Sequence, residues 1–353
     1  MINTLFHLVA RAVDQNGIDP DNLDVNTTDP LKIAMSQRYC KISKCPESWQ
    51  VIEYRPSMAG NVIYMLFFLA LFGGQLWFGT RNKTWTFMGT MCAGILGEVA
   101  GYVGRIMLNL NPFSKDSFLV NLVPLTIAPA FLTAGIYLCV GRVIVTIGAE
   151  NSRLKHKMYT YVFIGCDTLA LVLQAIGGGM AATAKDKEAS RTGVNIMIVG
   201  LISQVITMTL FLALWADFAL RSRRARISGS LLRTQPPMYE YLRSTKNFTF
   251  FQWGLFAATI TIYVRCIYRV AELWEGFNGK LANDEATFMI FEGPMMILAV
   301  LALTVFHPGR VFGDLWVPAG KGVKSTGKLT EDTASAVHLT ATQKCDSTAY
   351  QRV

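Results

Sequence analysis

Long apolar runs separated by short polar segments fill the middle of the sequence. Each supplies roughly 20 mostly apolar residues, the length that an α-helix needs to cross the ~30 Å hydrocarbon core of a bilayer. The pattern therefore predicts an all-α membrane protein with seven transmembrane helices. The predicted spans lie at about 57–79, 85–107, 118–141, 157–181, 194–218, 250–272 and 285–306.

Proline and glycine mark places where these helices are expected to depart from regular geometry. Pro124 and Pro129 should bend the third helix and Pro294 the seventh, because proline removes a backbone N–H and crowds the preceding turn. The glycine run at 177–179 is expected to end the fourth helix. Glycines also flank Glu98 on the second span, which favours close packing against a neighbouring helix.

Composition supports the membrane class and excludes a nucleic-acid-binding protein. Of 353 residues, 52% are hydrophobic and 16% are charged, which is too apolar for an ordinary soluble domain. The net charge of +9 comes from basic residues that lie mainly between the apolar spans. This is the distribution that orients membrane proteins, so nucleic acid is not expected as a partner.

The basic residues predict the orientation of the chain. The first, third and fifth loops contain far more Lys and Arg than the second, fourth and sixth, so they are expected to be cytoplasmic. The N-terminus is then outside and the C-terminus is cytoplasmic. The predicted organisation is an extracellular N-terminal segment at 1–56, a seven-helix transmembrane domain at 57–309 and a mostly disordered cytoplasmic tail at 310–353.

The predicted extracellular segment carries two kinds of modification signal. Asn26 begins an Asn-Thr-Thr triplet, which is an acceptor for N-glycosylation in a secretory context. Cys40 and Cys45 are spaced closely enough for a disulfide, which an oxidising compartment would permit.

Charged residues inside the apolar spans are the main functional signal. A charge at the centre of a membrane helix costs roughly 2.5–3.5 kcal/mol on insertion scales, so it should face protein or water. Arg265, Arg269 and Glu272 fall on one face of the sixth span, at about 100° per residue. With a rise of about 1.5 Å per residue, Glu98, Arg265 and Glu292 are expected at nearly the same depth, in the outer half of the membrane.

Further polar residues extend this layer. Gln174 is expected near this layer, Arg105 closer to the outer face, and Asp167 and Gln204 nearer the middle of the membrane. Two interpretations remain open for these residues. They could form a static network that holds helices together, or they could line a pathway or ligand site, as ionisable groups within membranes often do.

Residues that are missing from the spans exclude several enzyme and pump classes. No histidine lies deep in a span, so a zinc-dependent membrane hydrolase is not expected. The seventh span has no Lys to attach retinal, and no loop of the form G-x-x-x-x-G-K-[ST] is present for ATP-driven pumping. We therefore expect no metal, no cofactor and no enzymatic activity.

The order of polar and small residues along the spans resembles a known family. The series runs Tyr54-x-Pro56, Asn61, Gly97-Glu98-x-x-Gly101-Tyr102-x-x-Arg105, Ala128-Pro129, Tyr137, Gly141-Arg142, Asp167, Gln174, Gly177-Gly178-Gly179, Gly200, Gln204, Arg265-x-x-Tyr268-Arg269-x-x-Glu272 and His307-Pro308-Gly309. It resembles the fungal lipid-translocating exporters, the RTA-like proteins associated with aminocholesterol resistance, across residues 54–310. Glu292 and Met289 depart from the family pattern, which usually has Asp and Tyr there.

The resemblance implies a multi-pass fungal membrane protein, usually at the plasma membrane. Members are linked to export of sphingoid long-chain bases, to phospholipid flip-flop, to resistance against toxic amphiphiles and, in one case, to porphyrin. The implied function is an exporter or translocase of lipid-like amphiphiles, in which Glu98 and Glu292 meet a cationic or zwitterionic head group. The alternative is a seven-helix sensor or receptor that triggers a lipid or stress response.

Overall fold

The computed structural model describes residues 45, 50, 54–148, 150, 152–154, 156–184, 187–228, 237–276 and 279–321. Regular structure in these residues is helical throughout, and seven helical segments are long and apolar enough to cross a membrane. The predicted all-α, seven-helix membrane fold is thus confirmed. The first six long helices are α1 (Met58–Arg81), α2 (Trp85–Leu110), α3 (Lys115–Ile147), α4 (His156–Thr183), α5 (Lys187–Ile227) and α6 (Lys246–Trp274).

The seventh span is divided in two, as the proline in this span predicted. Its parts are α7 (Glu285–Phe291) and α8 (Gly293–Val305), which meet at Glu292. A short helix, α9 (Pro308–Phe312), follows, and α10 (Trp316–Lys321) comes after one 3-10 turn. A 3-10 turn and a five-residue helix, Glu240–Ser244, precede α6.

Consecutive long helices run antiparallel, so the bundle has two ends. Arg55, just before α1, donates from Nε to the carbonyl of Asn109 near the end of α2 at 3.0 Å. We call this the Tyr54 end, and it also holds the start of α7. At the opposite end, the His307 end, Arg243 donates from Nη1 to the carbonyl of Thr146 at 3.0 Å. Which end faces the cytoplasm stays a prediction.

Helix α3 is the centre of the bundle. In its most apolar stretch 78% of the residues are buried, against 17% in α1, which exposes apolar side chains such as Leu66 and Phe67. Helices α2, α4 and α6 and the terminal α10 all contact α3. The polar side chains that face α3 are therefore shielded from lipid.

Glycine lets two pairs of helices touch at the backbone. A Cβ on Gly104 of α2 would lie 2.4 Å from the backbone N of Asn121 on α3. A Cβ on Gly177 of α4 would lie 2.5 Å from the N of Met197 on α5. The expectation that the glycine run at 177–179 ends the fourth helix is therefore wrong. Helix α4 continues to Thr183 because the run packs against α5.

Helical structure continues past residue 309, the predicted end of the transmembrane domain. Trp316 is 3% exposed, and its ring lies 3.5 Å from the guanidinium of Arg142 on α3. Arg142 also donates from Nε to the carbonyl of Trp316 at 3.2 Å. Residues 310–321, which the sequence analysis placed in the tail, are helical, and this aromatic contact packs α10 against α3. Residues 322–353 lie outside the described chain.

Most of the predicted extracellular segment lies outside the described residues. This applies to Asn26 and to Cys40. Cys45 is disulfide-bonded, but the predicted partner is not among the described residues, so the Cys40–Cys45 pairing stays a prediction.

Candidate functional site

Glu292 lies at the break in the seventh span and is fully buried. Pro294 follows two residues later and has no N–H to donate to the carbonyl of Ile290, so the regular helical pattern cannot continue through this turn. Tyr64 on α1 donates its hydroxyl to the carbonyl of Met289 at 2.8 Å, within the same turn. The irregular turn places the carboxylate of Glu292 against α6.

Arg265 on α6 holds Glu292 with two hydrogen bonds. Its Nε donates to Oε2 at 3.1 Å and its Nη2 is in close contact with Oε1. The two side chains are 2% and 0% exposed. A two-pronged contact between a guanidinium and a carboxylate is among the strongest in proteins, and each oxygen of Glu292 accepts one of the two contacts.

Arg265 also binds the backbone of α3. Its Nη2 donates to the carbonyl of Leu125 at 2.5 Å. In a regular helix this oxygen would accept from the residue four positions later, but that residue is Pro129, which has no N–H. Pro129 therefore leaves an acceptor free on α3, and Arg265 uses it.

Glu98 on α2 is buried beside this pair without a hydrogen bond. It is 0% exposed, and neither carboxylate oxygen has a donor among the residues that the structure describes. It lies within electrostatic range of Arg265 and Glu292. We call Glu98, Arg265 and Glu292 the charge cluster. The side chains that the depth estimate put in one layer do come together, but Arg265 bonds only one of the two acids.

Two buried tyrosines adjoin the charge cluster with unused hydroxyls. Tyr102 lies one turn beyond Glu98 on α2, and its oxygen is 2.8 Å from the position that a Cβ on Gly293 would occupy. Tyr268 stacks on Phe291 with ring centroids 5.5 Å apart. In the described chain neither tyrosine hydroxyl has a hydrogen-bond partner. Both tyrosines appear in the sequence motif, but the sequence reasoning gave them no role.

Arg105 is held by neutral groups. It donates from Nε to Asn61 Oδ1 at 3.1 Å and from Nη2 to the hydroxyl of Tyr54 at 2.9 Å, and it stacks 3.7 Å from the ring of Phe288. Burial raises the pKa of Tyr54 despite the nearby positive charge, so its phenol stays neutral. No carboxylate of the described chain lies within ion-pair distance of Arg105.

Arg269 and Glu272 form a local pair on α6. Arg269 Nη1 lies 2.5 Å from Glu272 Oε2, three residues further along the helix. Both side chains are less than a tenth exposed, and they share the face of Arg265 that the helical spacing predicted. The pair lies between the charge cluster and the Tyr54 end.

A second polar group joins α3, α4 and α5. Asp167 on α4 accepts at Oδ2 from the hydroxyls of Tyr137 at 2.9 Å and Thr133 at 3.0 Å. Gln174 and Gln204 join α4 to α5 through a 3.4 Å contact from Nε2 to Oε1. The predicted site residues therefore fall into two groups, one around Arg265 and one around Asp167.

A surface cleft of about 640 Å³ opens at the Tyr54 end of α6. Apolar Ala271, Trp274 and Leu281 line it together with Glu275, Lys280 and Asp284. Across the described part of the chain, no three His, Cys, Asp or Glu side chains converge in a way that could hold a metal ion.

Comparison with known proteins identifies relatives for most of this region. Residues 91–314 match the family model described as RTA1 like protein. Sphingoid long-chain base transporter RSB1 of Saccharomyces cerevisiae is 37% identical. The aligned part covers 65% of this chain and 66% of that relative, which is just under two thirds of its length.

More distant relatives have other printed names. Protein RTM1 of Saccharomyces cerevisiae is 29% identical, with 63% of this chain and 67% of the relative aligned. Protoporphyrin uptake protein 1 of the same organism is 27% identical, with 63% of this chain and 68% of the relative aligned. No solved structure matches the chain.

Proposed function

The chain belongs to the RTA1-like family, and from this membership and the charge cluster we propose that it transports amphiphiles with a cationic head group across the membrane. The observation that carries the proposal is Glu98, a fully buried carboxylate whose two oxygens lack donors among the described residues. One relative is named as a transporter of sphingoid long-chain bases, which are amphiphiles of this chemistry.

The charges around Glu98 support recognition of a cation. Arg265 is already neutralised by Glu292 and also donates to the carbonyl of Leu125. A buried carboxylate without hydrogen bonds is costly, and a primary ammonium brings three donors and a compensating charge. An ammonium head group would therefore satisfy Glu98 where the protein itself does not.

The sequence interpretation assigned both acids to the head group, and we propose instead that Glu98 alone binds it. Both oxygens of Glu292 face Arg265, so Glu292 positions Arg265 and Glu98 remains as the acid that can bind a ligand. The unused hydroxyls of Tyr102 and Tyr268 add neutral hydrogen-bonding groups nearby. These hydroxyls suit a head group that carries hydroxyls beside its ammonium, as sphingoid bases do.

Flux in a purified system tests the proposal. The protein, reconstituted alone into liposomes, is expected to accelerate movement of a labelled long-chain base between the leaflets. A matched alkyl sulfate, which has the same chain but an anionic head, is expected to move at the rate of protein-free liposomes. Saturable binding of the base without any protein-dependent flux would instead support the sensor function and overturn the transporter.

We further propose that the Tyr54 end faces the cell exterior at the plasma membrane and that transport there contributes to resistance. The basic first, third and fifth loops support this orientation. Glycosidase treatment is expected to shift the gel mobility of the wild type but not of Asn26→Gln. A tag fused after Val353 should be inaccessible in intact cells, and its labelling from outside would reverse the assigned orientation.

A further inference from the structure

We propose that Asp167 is a proton-binding site that couples transport to a proton gradient. This inference rests on the proposed transport function and assigns the energy source. Asp167 lies 11 residues into α4, which is about 17 Å along the helix and close to the middle of a ~30 Å hydrocarbon core. It is 3% exposed.

Among the described residues, the surroundings of Asp167 contain hydrogen-bond donors but no counter-charge. From α3, Tyr137 and Thr133 donate to Oδ2, while Oδ1 has no partner in the described chain. From α5, Met208 reaches the hydroxyl of Tyr137 with its sulfur. From α6, the thiol of Cys266 lies within electrostatic range.

No basic group of the described chain forms an ion pair with Asp167. An ionised carboxylate at this depth is expensive, and binding a proton removes that cost. The two hydroxyl donors stabilise the ionised form when the proton leaves. Burial thus favours the protonated form of Asp167 and the two hydroxyls favour its ionised form. Reversible proton binding requires that both forms be accessible.

Cys266 connects the Asp167 site to the charge cluster. It follows Arg265 directly on α6, and its thiol lies within electrostatic range of Asp167, Arg265 and Glu292. A change of charge on Asp167 would therefore act on the same helix as a change at Arg265. We propose that α6 is the element through which the two sites are coupled.

Polar atoms continue from Asp167 towards the Tyr54 end. Gln174 lies seven residues further along α4, about 10.5 Å away along the axis, and contacts Gln204 of α5. Gln174 Oε1 and Gln204 Nε2 are buried and unpartnered within the described residues. They supply an acceptor and a donor to water molecules that would carry the proton to this end.

The coupled step is a simple proton exchange. The carboxylate of Asp167 accepts one proton from water on one side of the membrane and becomes a neutral acid. After the bundle changes the side to which the site is open, the O–H bond breaks and the proton returns to water on the other side. No other reactant is needed.

The test uses a quaternary-ammonium long-chain amphiphile, because primary amines cross bilayers as neutral bases and follow a pH gradient without a protein. With one proton exchanged per molecule, a gradient of about one pH unit should drive about tenfold accumulation in proteoliposomes. The Asp167→Asn protein is expected to exchange labelled for unlabelled probe but to accumulate none. Asp217→Asn, which changes a partly exposed acid on α5, should accumulate like the wild type.

Infrared spectroscopy of the purified protein gives a second readout that does not depend on transport. The wild type should show a carboxylic acid band whose intensity changes with pH and which Asp167→Asn removes. Flux without accumulation, or a wild type without this titrating band, would overturn proton binding at Asp167 and leave the transport proposal intact. Absence of any protein-dependent flux would instead count against transport itself.

Discussion

Replacing Arg265 with alanine is expected to lower the free energy of unfolding by about 3–5 kcal/mol, the usual loss when one partner of a buried ion pair is removed. The change leaves the carboxylate of Glu292 and the carbonyl of Leu125 without their donor in the interior of the bundle. Glu98 also loses its nearest positive charge. Among the described residues, the carboxylate of Glu292 has no second donor that could take the place of the guanidinium.

Thermal unfolding in detergent and abundance at the cell surface would measure this loss. Arg153→Ala removes an exposed member of a surface pair and should cost only about 0.2–1 kcal/mol. The double variant Arg265→Leu with Glu292→Leu should recover much of the loss, because it leaves no isolated charge at this position. An Arg265→Ala protein as stable as Arg153→Ala would mean that the pair is open to water.

Replacing Glu98 with glutamine is expected to weaken transport while preserving or raising stability. A hydrogen bond to a charged group contributes about 1.5–3 kcal/mol, so the apparent affinity for an ammonium head group should fall roughly 10- to 150-fold. The amide has nearly the same shape as the carboxyl group and replaces a buried acid whose oxygens lack donors among the described residues. Function and stability should therefore change in opposite directions.

The concentration dependence of flux and the unfolding temperature, measured on the same preparation, separate the two effects. Glu188→Gln changes an exposed acid near the start of α5 and should leave both quantities unchanged. If Glu98 only holds helices together, the glutamine variant should lose stability and retain its affinity. That result would remove Glu98 from substrate binding.

The fold could be predicted because the length and spacing of apolar runs along the sequence are enough to indicate transmembrane helices. Apolar runs of membrane-spanning length locate the helices, and Pro294 predicts an irregular turn in the seventh span. The ends of helices were harder to predict. The run at 177–179 has the composition of a helix end, yet in the structure it is a contact surface for α5. Composition does not distinguish these two uses of glycine.

For the site, the sequence could predict only how deep each charged residue lies in the membrane and which face of its helix it occupies. The rise per residue puts Arg265 near Glu292, but the choice between the two acids depends on the backbone break at Glu292. The contact of Arg105 with the ring of Phe288 involves a residue with no polar signal in the sequence. Tyr64 could have been noted as an aromatic residue one turn beyond Asn61, but its acceptor is a backbone carbonyl.

The bond between Arg265 and the carbonyl of Leu125 has a consequence for the genetics of this protein. The acceptor is a main-chain atom, so every amino acid at position 125 still supplies it. Position 129 controls it, because any residue other than proline brings an N–H that competes for the same oxygen. Substitutions that disturb this contact are therefore expected at position 129, one helical turn after Leu125, which supplies the acceptor. If each mutational effect is assigned to the substituted side chain, the loss caused by replacing Pro129 would be explained as a changed bend in α3. The competition for the carbonyl of Leu125 would then be overlooked.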